Sequence, residues 1–116
     1  MKAVRIHQYG GLDAVVYEDA PRPEIGEGEI LVRVRAAGVN PIDWGIAQGM
    51  LKMFLRLPLP HVLGCDVSGI VEESHSSEYS IGDEVFGMPG VEGGAFAEYV
   101  SLRTEETARK PQKLSW

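Results

Sequence analysis

The sequence predicts a mainly β domain, built as a small closed or partly closed barrel. Fourteen glycines and seven prolines in 116 residues, without a repeating period, indicate many turns between short segments. Hydrophobic residues nevertheless make up 44% of the chain, which favours a packed core over disorder. Several short stretches alternate apolar and polar residues with the period of two that is typical of a strand.

Length and composition limit the function classes. The 116 residues have room for one domain and not for a second. A net charge of -6, with no basic run, argues against nucleic acid and against an anionic membrane surface as partners. Cys65 is the only cysteine, which excludes an intramolecular disulfide and a zinc site of several cysteines. No apolar run resembles a signal peptide or a membrane span, so the sequence predicts a cytoplasmic protein.

The first three strands are predicted from alternation and from turn residues. Residues 2–7 and 15–18 should pair as a hairpin around Gly10 and Gly11. Prolines at 21 and 23 exclude that segment from a central strand. Residues 29–37 form the most regular pattern, with aliphatic side chains on one face and two arginines on the other. That pattern is typical of a half-buried antiparallel strand.

A short helix should follow the third strand. Pro41 fixes its own φ and keeps Asn40 out of the helical region, so the helix is expected to begin at Pro41 and to end at Gly49. Asn40 would then end the strand with its side-chain amide free. Asp43, three residues later, places a carboxylate at the same junction of elements, which is where functional sites are commonly found.

The apolar run 50–55 is short and is followed by Pro58 and Pro60. It is interpreted as a loop or a single helical turn. Two roles are open: a flap whose Met and Phe side chains fill the core, or a lid over a substrate. The sequence alone favours the core flap.

Three further strands are predicted in the second half. Residues 61–72 are rich in β-formers, and Gly64 and Gly69 indicate a bend or a close approach to a neighbouring backbone. A polar loop over 73–80 precedes a turn and a short strand over 80–87. Residues 93–100 give the last clear strand. The charged tail from Arg103 onward is expected to lead into another element.

Four of these segments together resemble the medium-chain dehydrogenase/reductase superfamily. They are AAGVNPID at 36–43, LGCDVSGIV at 63–71, GDEVFG at 82–87 and GAFAEYV at 94–100, in the order and spacing of that family. The likeness is strongest to its zinc-free quinone oxidoreductase branch. The resemblance implies a GroES-like partly open β-barrel with short helices, the N-terminal catalytic domain of the alcohol dehydrogenase-like fold.

The resemblance also implies that zinc is not used. In the zinc alcohol dehydrogenases, a cysteine stands where this chain has Asn40 and a histidine stands where it has Cys65. An amide oxygen is a poor zinc ligand compared with thiolate or imidazole. The cysteine cluster of the structural zinc lobe is missing as well. The alternative for a metal would be Cys65 together with Asp66 and His61.

In the zinc-free branch, NADPH delivers hydride to a quinone or an α,β-unsaturated carbonyl such as an enone. By resemblance, Asn40 is the catalytic residue and lies near the nicotinamide and the substrate, while Asn40, Pro41 and Asp43 contact the cofactor. The more natural role of Asp43 is to cap the helix. Trp44 and Phe54 would line the mouth of the cleft, and the alternative for both is core packing.

Two departures from the family pattern matter. Gly45 and Ala47 stand in the helix where many relatives carry a long polar side chain. No G-x-G-x-x-G turn followed by a helix occurs in the chain, so the Rossmann cofactor domain is absent from it. Residues 1–116 are therefore expected to be a GroES-like N-terminal catalytic domain, incomplete at its C-terminal end and inactive alone.

A non-enzymatic reading remains open, in which the barrel is a stand-alone GroES-like binding or assembly module and a possible homo-oligomer. The histidines do not decide between the two readings. His7 and His75 are expected at the surface. His61 is interpreted as a satisfied residue at a strand boundary, with a general-acid role as the alternative. Cys65, next to a carboxylate, is expected to be inert.

Overall fold

A computed structural model describes residues 1–116 and shows a mainly β fold with one α-helix, as predicted. The helix, α1, spans Pro41–Gln48. The strands are β1 (Lys2–Ile6), β2 (Val15–Asp19), β3 (Glu29–Gly38), β4 (His61–Val62), β5 (Asp66–Ser74), β6 (Glu84–Gly87), β7 (Tyr99–Arg103) and β8 (Thr107–Arg109). Single 3-10 turns lie between β1 and β2, before β7 and before β8.

The strands form two antiparallel sheets, with the orders β2-β1-β4 and β7-β3-β5-β6-β8. The irregular segment before β7 joins them. The backbone N–H of Val4 donates to the carbonyl of Phe96 at 2.7 Å, and the N–H of Val34 donates to the carbonyl of Glu98 at 2.9 Å. The larger sheet therefore curls towards the smaller one, and the result is the predicted partly open barrel.

Two apolar clusters hold these layers together. One lies inside the curl of the five-stranded sheet and includes Ile30, Val32 and Val71. The other packs α1 against the smaller sheet through Ile6 and Ile46. No helix of the structure has the length and apolar character needed to cross a membrane.

β3 departs from the predicted two-faced pattern. Leu31 is only 1% exposed, although the alternation placed it on the arginine face. The pairing of β3 with β5 shifts register between Leu31 and Val32, and again between Val34 and Ala36. The extra residue of the first shift is Glu72 in β5, so β3 still alternates through Leu31, which is buried outside the cluster that holds Ile30 and Val32. The second shift places an extra residue, Arg35, in β3, and Ala37 rather than Ala36 packs against the core as a result.

The last predicted strand was also placed wrongly. Residues 93–98 are irregular, and β7 begins only at Tyr99. Gly93 and Gly94 have φ values of 67° and 107°, which break an extended strand. β8 in the charged tail was missed altogether, because three residues carry too little periodicity to be recognised. β8 forms only by pairing with β6, which lies some twenty residues earlier in the chain.

The run 50–55 is not a core flap. Met50, Met53 and Phe54 are 67%, 87% and 89% exposed. Leu51 and Leu57 pack against the cluster around α1 instead. The segment is a turn, as predicted, closed by a hydrogen bond from the N–H of Leu55 to the carbonyl of Leu51 at 2.8 Å. The Met and Phe side chains of this turn therefore face solvent, whereas Leu51 faces the core.

Candidate functional site

The candidate site lies where β3 passes into α1. Asn40 is extended, with φ -128° and ψ 158°, and Pro41 is the first helical residue. Gly49 ends the helix in the left-handed conformation, with φ 77°. The bounds and the terminating residues of this helix are those predicted from the sequence, because local backbone restrictions determine them.

Asp43 caps the helix, as expected. Its side chain is buried, and Oδ2 accepts a hydrogen bond from the backbone N–H of Asn40 at 2.7 Å. This contact fixes the backbone of Asn40 relative to α1. The other oxygen, Oδ1, is buried without a hydrogen-bond partner.

The side chain of Asn40 is not free, which corrects the prediction. Its Nδ2 donates a hydrogen bond to Oδ2 of Asp66. Asp66 reaches this position because it pairs with Gly38 in the β3–β5 register. Gly38 leaves room there, since a Cβ on it would lie 3.3 Å from Cβ of Asp66. The carbonyl oxygen and the second amide hydrogen of Asn40 remain available to a ligand.

Asp66 is the residue of this site that sequence reasoning missed. It was considered only as a neighbour of Cys65, whereas in the structure it holds the side chain of Asn40. The separation of 26 residues hides this contact. Only the register between β3 and β5 would have revealed it, and the two shifts in their pairing make that register hard to predict.

Cys65 lies in the same region and is buried. Burial raises the pKa of its thiol to about 11, and the charges of Asp43 and Asp66 add to the effect. The thiol is therefore neutral near pH 7, which agrees with the expected inertness. No three His, Cys, Asp or Glu side chains are grouped so that they could hold a metal ion.

The two predicted lining residues are at the surface. Trp44 is 43% exposed and Phe54 is 89% exposed, so the alternative of core packing is wrong for both. Trp44 lies in α1, and Val39 and Ile42, which are near it in the chain, are exposed as well. Both rings are therefore available to contact a ligand or a neighbouring domain.

His61 differs from the prediction of a satisfied boundary residue. The residue is 6% exposed, and its Nε2 is buried without a hydrogen-bond partner. A Cβ on Gly93 would lie 3.1 Å from Nε2, so the glycine leaves space for the ring. Burial lowers the pKa of the imidazole from its ordinary value of 6.5.

This buried imidazole predicts a pH-dependent stability. Below pH 6.5 the unfolded chain binds a proton on His61 more readily than the folded chain does, so the free energy of unfolding should fall as the pH is lowered. Urea unfolding at pH 7 and at pH 5.5 measures the loss. The variant His61→Phe, which keeps a planar ring without the nitrogen, should show a smaller loss over the same interval. An equal loss in the variant would contradict the assignment to His61.

Comparison with protein families matches residues 26–112 to the alcohol dehydrogenase GroES-like domain. Among curated proteins, a chloroplastic quinone-oxidoreductase homolog of Spinacia oleracea is 34% identical over 99% of this chain and 36% of its own length. The quinone oxidoreductase of Sus scrofa is 34% identical over 100% of this chain and 35% of its own length. The chain therefore spans about a third of the length of these relatives.

Solved structures give the same result. The quinone oxidoreductase from Coxiella burnetii matches 99% of this chain and 38% of its own chain, with a TM-score of 0.87 and 35% identity. The mycobacterial protein Rv1454c, complexed with NADPH, matches 99% of this chain and 34% of its own chain, with a TM-score of 0.87 and 33% identity. The chain belongs to the alcohol dehydrogenase GroES-like domain family, among medium-chain dehydrogenases/reductases of the quinone oxidoreductase type.

Proposed function

We propose that this chain is the N-terminal catalytic-domain portion of an NADPH-dependent oxidoreductase that reduces a quinone or an α,β-unsaturated carbonyl without zinc. The relatives named quinone oxidoreductase support the reaction class. The NADPH complex of a structural neighbour supports the choice of cofactor. The chain alone is proposed to be inactive, because it contains no Gly-rich turn leading into a helix that would hold the pyrophosphate.

The observation that carries the proposal is the pair of side chains at the two positions where zinc alcohol dehydrogenases hold the metal. Asn40 offers an amide whose nitrogen donates a hydrogen bond to Asp66. Cys65 offers a buried thiol whose pKa of about 11 keeps it protonated near neutrality. Zinc binds thiolate and imidazole far better than a carboxamide, so Asn40 and Cys65 together supply only one good zinc ligand. These residues therefore do not fit a zinc ion, and the proposed reaction does not use one.

The same residues suit a carbonyl substrate. The capping contact with Asp43 holds the backbone of Asn40, and the contact with Asp66 holds its side chain. The second amide hydrogen can donate to the carbonyl oxygen of a quinone or enone, which gains negative charge during conjugate reduction. Because the donor is already oriented, little reorganisation is needed at that moment.

Asn40, Pro41 and Asp43 are also proposed to lie beside the nicotinamide. The backbone carbonyl of Asn40 accepts from the N–H of Asp43 at 3.0 Å, whereas its side-chain oxygen can accept a hydrogen bond from a carboxamide N–H of the nicotinamide. Asp43 acts indirectly, through the backbone of Asn40. Exposed Val39, Ile42 and Trp44 offer an apolar surface next to this position. When bound, NADPH supplies the hydride.

A chimera tests the proposal. This chain replaces the corresponding third of the Sus scrofa quinone oxidoreductase, and NADPH oxidation is followed with quinones and enones. We expect turnover that is unaffected by zinc chelators, with the unmodified pig enzyme as the reference. The isolated 116-residue chain should not oxidise NADPH at rates typical of enzymes, about 1 s⁻¹ or more.

Two results would contradict the proposal. If the chimera binds NADPH, as seen by nucleotide fluorescence, but reduces no quinone or enone, the assigned reaction is wrong. If a chelator abolishes turnover and zinc restores it, the zinc-free assignment is wrong. NADPH binding shows that the cofactor half has folded, so an inactive chimera remains interpretable.

A further inference from the structure

A cavity of about 470 Å³ opens beside the C-terminal end of α1, outside the site already described. It is lined by Tyr9, Lys52, Met53, Arg56 and Leu57. The volume lies within the range of small-molecule pockets. The Tyr9 ring packs closely over Gly49, because a Cβ there would lie 3.0 Å from the ring.

The turn 50–55 brings two cations into this cavity. The hydrogen bond from the N–H of Leu55 to the carbonyl of Leu51, at 2.8 Å, forms one helix-like turn between them. Lys52 and Arg56 are four residues apart, a spacing that places side chains on the same side of such a turn. Both line the cavity.

These two cations have neither a carboxylate nor an aromatic partner in the structure. Of the 11 basic residues, six form ion pairs with carboxylates, and Arg22 and Arg35 lie over aromatic rings. The remaining three are Lys52, Arg56 and Lys113, and two of them share one cavity. The net charge of -6 means that carboxylates are plentiful elsewhere on the surface.

One acidic residue, Glu92, lines an adjoining cavity together with Arg56 and Leu57. No ion pair joins Glu92 to Arg56. Two like charges on one turn repel each other unless an anion lies between them. The cavity therefore carries two positive charges that no carboxylate of the chain pairs with.

The side chains that line the cavity indicate a second property of its ligand, an apolar body. Met53, Leu57 and the Tyr9 ring give an apolar lining, and methionine adapts to flat ligands. The Tyr9 hydroxyl makes no hydrogen bond in the structure and is available to a polar group. The guanidinium of Arg56 can bind a carboxylate with two parallel hydrogen bonds. The combination suits a flat apolar body that carries one carboxylate.

We propose that this cavity binds an aromatic or conjugated carboxylate, with its carboxylate between Lys52 and Arg56 and its apolar body against Tyr9, Met53 and Leu57. The proposal does not rest on the hydride-transfer function, since it concerns equilibrium binding to this chain alone. If that function is also correct, the cavity would favour substrates with an acidic substituent.

The test measures binding of 2-naphthoate to the 116-residue chain by calorimetry and by amide NMR shifts. The neutral amide of the same shape, 2-naphthamide, and acetate, which lacks the apolar body, are the comparison ligands. We expect naphthoate to bind about three- to tenfold more tightly than naphthamide. The binding should weaken as salt is added. Acetate should show no measurable binding, and the naphthoate shifts should fall on Tyr9 and residues 52–57.

The double variant Lys52→Gln/Arg56→Gln should bind naphthoate and naphthamide equally. Lys113→Gln, which removes the third unpaired cation, is the matched control and should bind like the parent chain. Both sites are exposed, and dispersed NMR spectra confirm that each variant is folded. Equal affinity of the parent chain for the two naphthalene ligands would overturn the proposal. So would naphthoate binding that survives in the double variant, or no binding to the folded parent chain.

Discussion

Replacing Gly69 by alanine should reduce the free energy of unfolding by about 3 kcal/mol or more. A Cβ at this position would lie 2.2 Å from the carbonyl oxygen of Arg33 and 2.6 Å from Cγ1 of Val32. The first of these atoms belongs to the backbone of β3, an inner strand of the sheet, and cannot rotate away. The two strands would have to separate at their central pairing.

The matched control is Gly45→Ala within α1. Its Cβ would meet only the sulfur of Met50, at 4.0 Å, and the backbone is already helical. Alanine there should raise the free energy of unfolding by about 0.5–1 kcal/mol, because it restricts the unfolded chain and favours the helix. The same chemical change should thus have opposite signs at the two positions.

Urea unfolding followed by far-UV circular dichroism measures both variants. If Gly69→Ala is too unstable to purify, Gly69→Ser should fail in the same way, because it also adds a Cβ at this position. The parent chain and Gly45→Ala should both remain folded. A Gly69→Ala variant as stable as the parent chain would show that β3 and β5 approach less closely than described.

The elements predicted well are those determined by their own residues. β3 carries enough alternating positions to be recognised alone, and α1 is defined by Pro41 at its start and Gly49 at its end. β7 and β8 were misplaced or missed because their positions depend on partners distant in the chain. A three-residue strand has no periodicity of its own, and it exists only because β6 offers a free edge.

The same division applies to the candidate site. The cap between Asn40 and Asp43 spans three residues and was predicted from the sequence. The contact between Asn40 and Asp66, and the orphaned nitrogen of His61, depend on strand register and on packing around Gly93. The preference for a core flap over 50–55 was wrong because hydrophobicity alone does not indicate which side of a turn faces the core.

Exchanging Asn40 and Asp66 separates the contribution of their hydrogen bond to stability from the proposed contribution of Asn40 to turnover. Asn40→Asp should place two carboxylates in contact and lower the free energy of unfolding by about 1–3 kcal/mol at pH 7. Like charges raise the pKa of one carboxyl of the pair above its unfolded value, so this loss should disappear below about pH 4, where that carboxyl is protonated in both states.

The exchange variant Asn40→Asp/Asp66→Asn restores one donor and one acceptor at the contact and should regain most of the stability. In the chimera its turnover should nevertheless stay about a hundredfold below that of the unexchanged chimera. A carboxylate at position 40 has no N–H to donate, and its charge opposes the negative charge that develops on the substrate oxygen. NADPH fluorescence and urea unfolding are measured on the same preparations. If the exchange restores turnover together with stability, Asn40 serves only to hold the fold, and its proposed catalytic role is wrong.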